Sequence, residues 1–307
     1  MPRYENPNCE RTEPVFLTLG GETLSAVNPL PVVDPWLQQS IYEILQTYGD
    51  TVVPKGKVIG KFGRTTNADD GVKTTIATFG SVATVNVNET FSTTNDIDKI
   101  ASSSADDTET LTIEGHSIDA EGNLTFVVQS KTLTGQTPAT LDTALARCSR
   151  VKVAASGSFG SPAGDLVGDI YAYASSGVTV TSGVPQTSTA VKARIVAGYN
   201  QTAKAATTIS SVDYWCISRI NASVEKGNSA TVTADIELET RDVANGGVWL
   251  PVGLELSLRA GATQTEVIEL RPYVIIPKNH DVRLIAVSNT NDTQVSASFA
   301  GPLMIVQ

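Results

Sequence analysis

The carboxy-terminal third of this chain constrains its fold more than any other part. Between residues 209 and 307 the segments 211–220, 230–240, 248–258, 265–276, 282–287 and 295–306 each alternate apolar and polar residues or form short apolar runs. Val232, Ala234, Ile236 and Leu238 fall on one face, while Thr233, Asp235, Glu237 and Glu239 fall on the other. A period of two is what a half-buried antiparallel strand requires. Turn-forming residues separate the runs at Glu225-Lys226-Gly227-Asn228, Asn245-Gly246-Gly247, Ala260-Gly261, Pro277-Lys278-Asn279 and residues 289–292. Strands at this spacing predict a sandwich or a jelly roll.

The chain has 307 residues, enough for two or three domains with cores of their own. Its formal net charge is −10 and its pI about 4.7, which argues against gripping nucleic acid, because neutralising phosphates needs clustered Lys and Arg. The densest basic group, Lys55, Lys57, Lys61 and Arg64, is a modest patch. No apolar run approaches the roughly 20 residues of a bilayer-spanning helix, so membrane insertion is not expected. The start, Met1-Pro2-Arg3-Tyr4-Glu5-Asn6, carries no signal-peptide apolar stretch. Asn-x-Ser/Thr sequons at Asn88, Asn123, Asn200, Asn221 and Asn291 are what a Thr-rich chain contains by chance.

Cys9, Cys148 and Cys216 are far apart and have no Cys-x-x-Cys spacing, so neither a zinc site nor a disulfide framework is expected. Cys148 and Cys216 lie in strand-like runs and read as small buried hydrophobes. Cys9 sits in a polar segment and is a candidate for an intersubunit disulfide.

Three regions follow from composition: an amino-terminal arm and anchoring region (1–80), a first β-sandwich (81–188) and a carboxy-terminal sandwich or jelly roll (189–307). The first 33 residues hold Pro2, Pro7, Pro14, Pro29 and Pro31 and read as an extended arm, with a strand at 15–19. One short helix is predicted after it. Asp34 is its N-cap, Pro35 its first residue and Gly49 its stop, with Trp36, Leu37, Ile41, Ile44, Leu45 and Tyr48 at helical spacing. Trp36, Leu37, Ile41 and Ile44 are therefore the candidate anchor to a partner chain, or else the cover of the chain's own sheet. Strands at 82–87, 109–114, 124–130, 146–153 and 170–174 suit a small immunoglobulin-like sandwich, and 175–186 reads as a strand and hinge. The two β blocks share no fixed period, so the chain is not a repeat array.

Catalytic constellations are hard to assemble from these residues. His116 and His280 are the only histidines, and neither has a second ligand at metal spacing. Cys216 and His280 have no local signature of a nucleophile pair. Asp96, Asp98, Asp106, Asp107 and Glu109 crowd one stretch without the ordered series of a calcium loop, and are read as a solvated loop. Gly56-Lys57-Val58-Ile59-Gly60-Lys61-Phe62 has too few residues between its glycines for a P-loop, and Phe62 stands where Ser or Thr would hold magnesium. Trp249, beside Asn245-Gly246-Gly247, is a candidate ligand-loop aromatic or else a core residue.

Two stretches carry a family resemblance. Residues 107–153 run strand, Asp119-Ala120-Glu121-Gly122-Asn123 turn, strand, Thr132-Leu133-Thr134-Gly135-Gln136-Thr137, then Arg147-Cys148-Ser149-Arg150-Val151. Residues 197–221 carry Gly198-Tyr199-Asn200-Gln201-Thr202 ahead of a strand with an aromatic and the pair Arg219-Ile220. The order of these motifs over about 100–307 resembles structural proteins of tailed bacteriophages, marine ones especially. Residues 1–80 take no part in the likeness.

The resulting expectation is an all-β protein: two β-sandwich domains, immunoglobulin-like or jelly-roll-like, behind an extended arm and one short helix. The resemblance implies a virion component, assembled in the host cytoplasm, with no catalytic residues, cofactor or metal. A capsid-surface decoration or cement protein, or a head–neck attachment protein, is the first reading. Its partners would be further copies of itself, as a trimer, and other virion proteins such as the major capsid or neck and tail proteins, with no nucleic acid. The alternative is a tail-fibre, collar or host-attachment protein that binds a cell-surface glycan or protein.

Overall fold

The computed structural model describes residues 18–19, 22–23, 52–78, 91–155, 166–225, 231–243, 247–260 and 263–306. The predicted helix with Trp36, Leu37, Ile41 and Ile44, and Cys9 with them, lie outside the described residues. Two compact units divide the chain, Met1–Asp50 and Thr51–Gln307. In the first, β1 (Thr18–Leu19) and β2 (Glu22–Thr23) pair antiparallel.

The second unit is all-β among the described residues. It begins with β3 (Val52–Ala68), 17 residues long, and the short β4 (Thr74–Thr75). A seven-stranded sandwich follows, built from β5 (Ile97–Ser102), β6 (Thr110–Ile118), β7 (Leu124–Thr132), β8 (Ala139–Leu145), β9 (Arg147–Ala155), β10 (Ile170–Ala174) and, after the hairpin β11 (Val180–Thr181) and β12 (Val184–Pro185), β13 (Val191–Ile195). Its sheets have the strand orders β13-β10-β5-β8 and β7-β6-β9. Ile97, Ile100, Leu111, Ile113, Leu145, Val151 and Ile170 fill the space between them. The β11–β12 turn is Ser182-Gly183, both at positive φ, the two-residue geometry that matches strand twist. That hairpin covers Tyr171 and Tyr173 on the outer face of the first sheet.

The remaining strands are β14 (Ala206–Thr208), β15 (Asp213–Glu225), β16 (Val232–Asp242), β17 (Leu250–Ala260), β18 (Thr263–Ile276), β19 (His280–Ser288) and β20 (Thr293–Val306). With β3 and β4 they close a jelly roll. The innermost pair is β16–β17, around it lies β15–β18, then β19 with β4 and β14, and outermost β3–β20, all antiparallel. Such nested pairing is one long hairpin wrapped into two facing sheets, β18-β15-β20-β3 and β14-β19-β16-β17 with β4 beside β19. Trp215, Ile236, Leu238, Leu258, Leu284 and Phe299 fill its core. Trp215 and Phe299 tilt against each other at 4.8 Å, and the indole N–H donates to the Gly301 carbonyl at 3.0 Å.

β16 follows its pattern, with Val232, Ala234, Ile236 and Leu238 buried, but Glu239, expected on the wet face, is buried too. A register shift against β17 falls between Glu237 and Glu239, and Arg283 and Lys73 neutralise the carboxylate there.

The first sandwich is an insertion in one strand of the jelly roll. The chain leaves β19 after Thr78 and returns at Ala203, and the two segments hydrogen-bond to each other (Thr78 N to Ala203 O, Ala205 N to Ile76 O) and to Leu284. Gly63 of β3 lies flat against this neck, where a Cβ would stand 1.8 Å from Ile76 O and 2.4 Å from Ala205 N. Gly63→Ala is therefore expected to cost about 3 kcal/mol, because the obstacle is hydrogen-bonded backbone that cannot yield like a side chain. Equilibrium denaturation would show this, and a shift below about 0.5 kcal/mol would mean that the neck gives way.

Candidate functional site

The described residues with the densest buried charge lie where the inserted sandwich meets the jelly roll. Asp281, at the start of β19, is 0% exposed. It accepts from Arg147 of β9 at 2.8 Å (Nε to Oδ1) and 3.0 Å (Nη2 to Oδ2), from Thr208 Oγ1 at 2.6 Å, and from Arg241 Nε at 2.9 Å. Arg147, 3% exposed, also donates to the carbonyls of Ala146 and Ser92. One carboxylate thus holds a guanidinium from the insertion and another from the jelly roll, in the fork geometry that makes arginine–carboxylate pairs directional. Alongside, Glu239 takes Arg283 at 2.8 Å and Lys73 at 2.8 Å. Burial works against its ionisation, yet these two partners hold its carboxyl below the usual range.

Aromatic rings line the same seam. Phe91 lies under Arg147 and Arg241, at 5.0 and 4.7 Å from the guanidinium carbons. Trp249 stacks on Arg283 at 4.1 Å and tilts against Phe91 at 5.2 Å. Trp249, the candidate for either a ligand loop or the core, is half-buried in the junction network.

A second polar cluster joins β3 to β6 and β9 around a partly open space of about 110 Å³ lined by Lys61, Glu114, His116, Arg150 and Asp213, among others. Lys61, 9% exposed, donates to Ser149 O at 3.2 Å. Burial, reinforced by the Arg150 charge and only partly offset by Glu114, lowers its pKa to about 7. Burial and the Lys61 charge lower His116 to about 3, so the imidazole is neutral at physiological pH. Burial would raise the Glu114 carboxyl, but paired hydrogen bonds from Arg150 at 2.9 and 2.6 Å bring it below the ordinary range. Lys204 donates to Cys148 O at 2.7 Å in the same seam.

The other candidates lie apart from each other. His280 Nδ1 contacts Lys278 O at 2.8 Å, and among the described residues no group of three or more His, Cys, Asp or Glu could hold a metal. Cys148 and Cys216 are buried, as their strands predict. Burial pushes the Cys216 thiol up to about 12, which keeps it protonated and a poor nucleophile. The acidic stretch is only partly a solvated loop. Asp98 sits in β5 and accepts from Ser175 N and Oγ, whereas Asp107 is buried and accepts from Ser102 Oγ, Val167 N and Gly168 N. Glu109 is buried, and burial raises its carboxyl pKa.

Of the sequence motifs, two mark the seam. The Arg147-x-x-Arg150 spacing supplies both guanidiniums of β9, and 198–202 forms an extra edge on that strand, with Val153 N donating to Asn200 O and Thr202 N to Val151 O. No local pattern marks Asp281, Thr208 or Lys61 as their partners.

Beside that edge opens a cleft of about 1210 Å³ between the outer face of β18-β15-β20-β3 and the insertion. Register builds its floor in rows. Thr265, Ser223, Ser296 and Arg64 lie side by side in one, and Asn221, Ser298 and Phe62 in the next. Lys152, Asp169, Arg194, Tyr199 and Gln201 face them from the insertion side.

No family model matches this chain, and no curated protein matches it. Among solved structures it is similar to infectious bursal disease virus of the Gt strain, at 11% identity over 84% of this chain and 77% of that one, with a TM-score of 0.21. The Gx strain gives 9% identity over 84% and 77%, with a TM-score of 0.22, and the VP2 subviral particle of the same virus 9% over 89% and 78%, with a TM-score of 0.20. Superpositions this loose carry no argument about the chain's function.

Proposed function

We propose that this chain is a structural protein of a virus particle, of the tailed-bacteriophage kind, and that it acts by binding and assembly without a catalytic step. The observation that carries the reading is the nested pairing of β3–β20, β4 and β14 with β19, β15–β18 and β16–β17. Jelly rolls recur in viral capsid and lectin domains, so the support is analogy at the level of fold. The motif order over 100–307 supports the phage assignment. The junction adds a physical reason: a buried, bidentate ion pair, Arg147 with Asp281, ties the inserted sandwich to the jelly roll, and a fixed arrangement of the two suits repeated assembly through interfaces of more than about 2,000 Å².

In this reading the protein is a homo-oligomer, a trimer at first choice, that decorates or cements the capsid surface or joins head to neck. Residues 1–50 anchor it through Trp36, Leu37, Ile41 and Ile44. Immunogold labelling of intact virions tests the assignment. Gold over the whole head supports a decoration protein; gold at one vertex or on the tail moves it to the collar or host-attachment role; unlabelled particles overturn the virion reading. For the anchor, the double substitution Leu37→Glu and Ile41→Glu is expected to abolish incorporation while leaving the melting of the β unit unchanged, and normal incorporation would refute it.

A further inference from the structure

We propose that the cleft between the outer face of β18-β15-β20-β3 and the inserted sandwich binds an anionic oligosaccharide, one bearing uronate or sialate carboxylates. The inference goes beyond the structural role and holds whichever part of the particle carries the chain.

The floor argues for a carbohydrate. It is the face of a sheet whose backbone is already paired across four strands, so a ligand on this floor meets side chains. Most of those side chains are short and hydroxylated or amidated, Thr265, Ser223 and Ser296 in one row and Asn221 and Ser298 in the next, with Arg64 and the exposed ring of Phe62 at the row ends. Each hydroxyl both donates and accepts, and an amide does so through two atoms, the capacity that a polyhydroxylated ring demands of its site. Asn221 Nδ2 already donates to Ser298 Oγ at 3.0 Å, which orients both groups across the floor. Tyr199 is 57% exposed at the rim, an unusual position for an aromatic with no core to fill. Its ring offers a flat apolar surface to the C–H face of a sugar, and its hydroxyl a polar edge.

The charge argues for an anion. Arg64, Lys152 and Arg194 line the cleft against one carboxylate, Asp169, in a chain of net charge −10. Arg194 pairs with Asp169, and Lys152 lies 3.6 Å from Glu114. Arg64 is different: its guanidinium donates to the neutral amide oxygen of Gln294 at 2.8 Å, and among the described residues it has no ion pair with a carboxylate. An exposed guanidinium whose charge is not cancelled is the natural fork for a ligand carboxylate. At about 1210 Å³ the space exceeds that of a typical small-molecule pocket, roughly 300–1,000 Å³, and suits several sugar rings.

The test uses the purified full-length chain on an array of oligosaccharides: tetragalacturonate, sialyl-lactose and heparin-derived tetramers against neutral maltotetraose and cellotetraose. At least one acidic glycan is expected to bind saturably and better than every neutral one, with affinity falling as salt is raised. Arg64→Gln and Tyr199→Ala, both at exposed side chains, are each expected to weaken that binding at least tenfold with thermal melting unchanged. Three results overturn the proposal: no acidic glycan retained, retention equal in the wild type and both variants, or retention by the cleft of an acidic peptide (polyglutamate) in place of any sugar. Because none of these readouts involves a virion, failure here leaves the immunogold result standing, and the reverse holds too.

Discussion

Asp281→Ala is expected to destabilise the β unit by about 3–5 kcal/mol, the range for leaving a buried charge without its counter-ion. Arg147 is 3% exposed and both of its carboxylate hydrogen bonds go to Asp281, so the substitution strands a guanidinium that cannot swing into water. Arg241 has more freedom, because its side chain already reaches solvent in part. The companion double variant, Asp281→Leu with Arg147→Met, should recover most of the loss, since a well-packed apolar pair often equals a buried ion pair in net stability. Urea denaturation followed by tryptophan fluorescence would measure both effects, with Trp215 in the core and Trp249 in the seam both contributing. A single-variant cost below about 1 kcal/mol would mean that Asp281 does not lock the insertion to the jelly roll.

The second large effect is in pH. Lys61 is lowered from 10.5 to about 7, so between those values the unfolded chain holds a proton that the folded chain has released. Stability therefore rises with pH across that window and is lowest, on this account, below pH 7. The charges of Arg150 and Lys204 disfavour the protonated lysine and that of Glu114 favours it, and the full cost of protonation, dominated by burial, is at most on the order of 4–5 kcal/mol by the usual conversion. His116 adds a lower window: its pKa falls from 6.5 to about 3, so stability is lost as pH drops between them. Lys61→Met is expected to stabilise the protein at pH 7 and to flatten the rise between pH 7 and 10. A variant profile parallel to the wild type would show that Lys61 is not the titrating group.

Much of the jelly roll is legible in the chain. The alternation at 230–240 and 295–306 coincides within a few residues with β16 and β20, and Asn279 and Asp292, read as turn residues, adopt positive φ. In the insertion, 124–130 and 170–174 mark β7 and β10. Other strands escape because their local text is ambiguous. Ile97-Asp98-Lys99-Ile100-Ala101-Ser102 reads as part of an acidic stretch, yet it is β5, with Ile97, Ile100 and Ala101 buried between two neighbours. The 17-residue β3 escapes as well, because its polar and glycine positions gain their meaning from β20 and from the neck. β13 joins β10 of the insertion, a choice of partner that no strand carries in its own pattern.

The sequence by itself determines the class of this protein. Period-two alternation and turn chemistry at the breaks suffice for an all-β chain with sandwich architecture, since each is a local property of neighbouring residues. Tertiary structure alone decides that β3 lies beside β20, that one sandwich is inserted in a strand of the other, and that Arg147 meets Asp281 across 134 positions. It alone makes Lys61 a buried amine and places Arg64, three residues on, in an open cleft. The physical reason is that burial, partner and local charge belong to the three-dimensional neighbourhood of a side chain, and in antiparallel sheets that neighbourhood is set by register between strands distant in the chain.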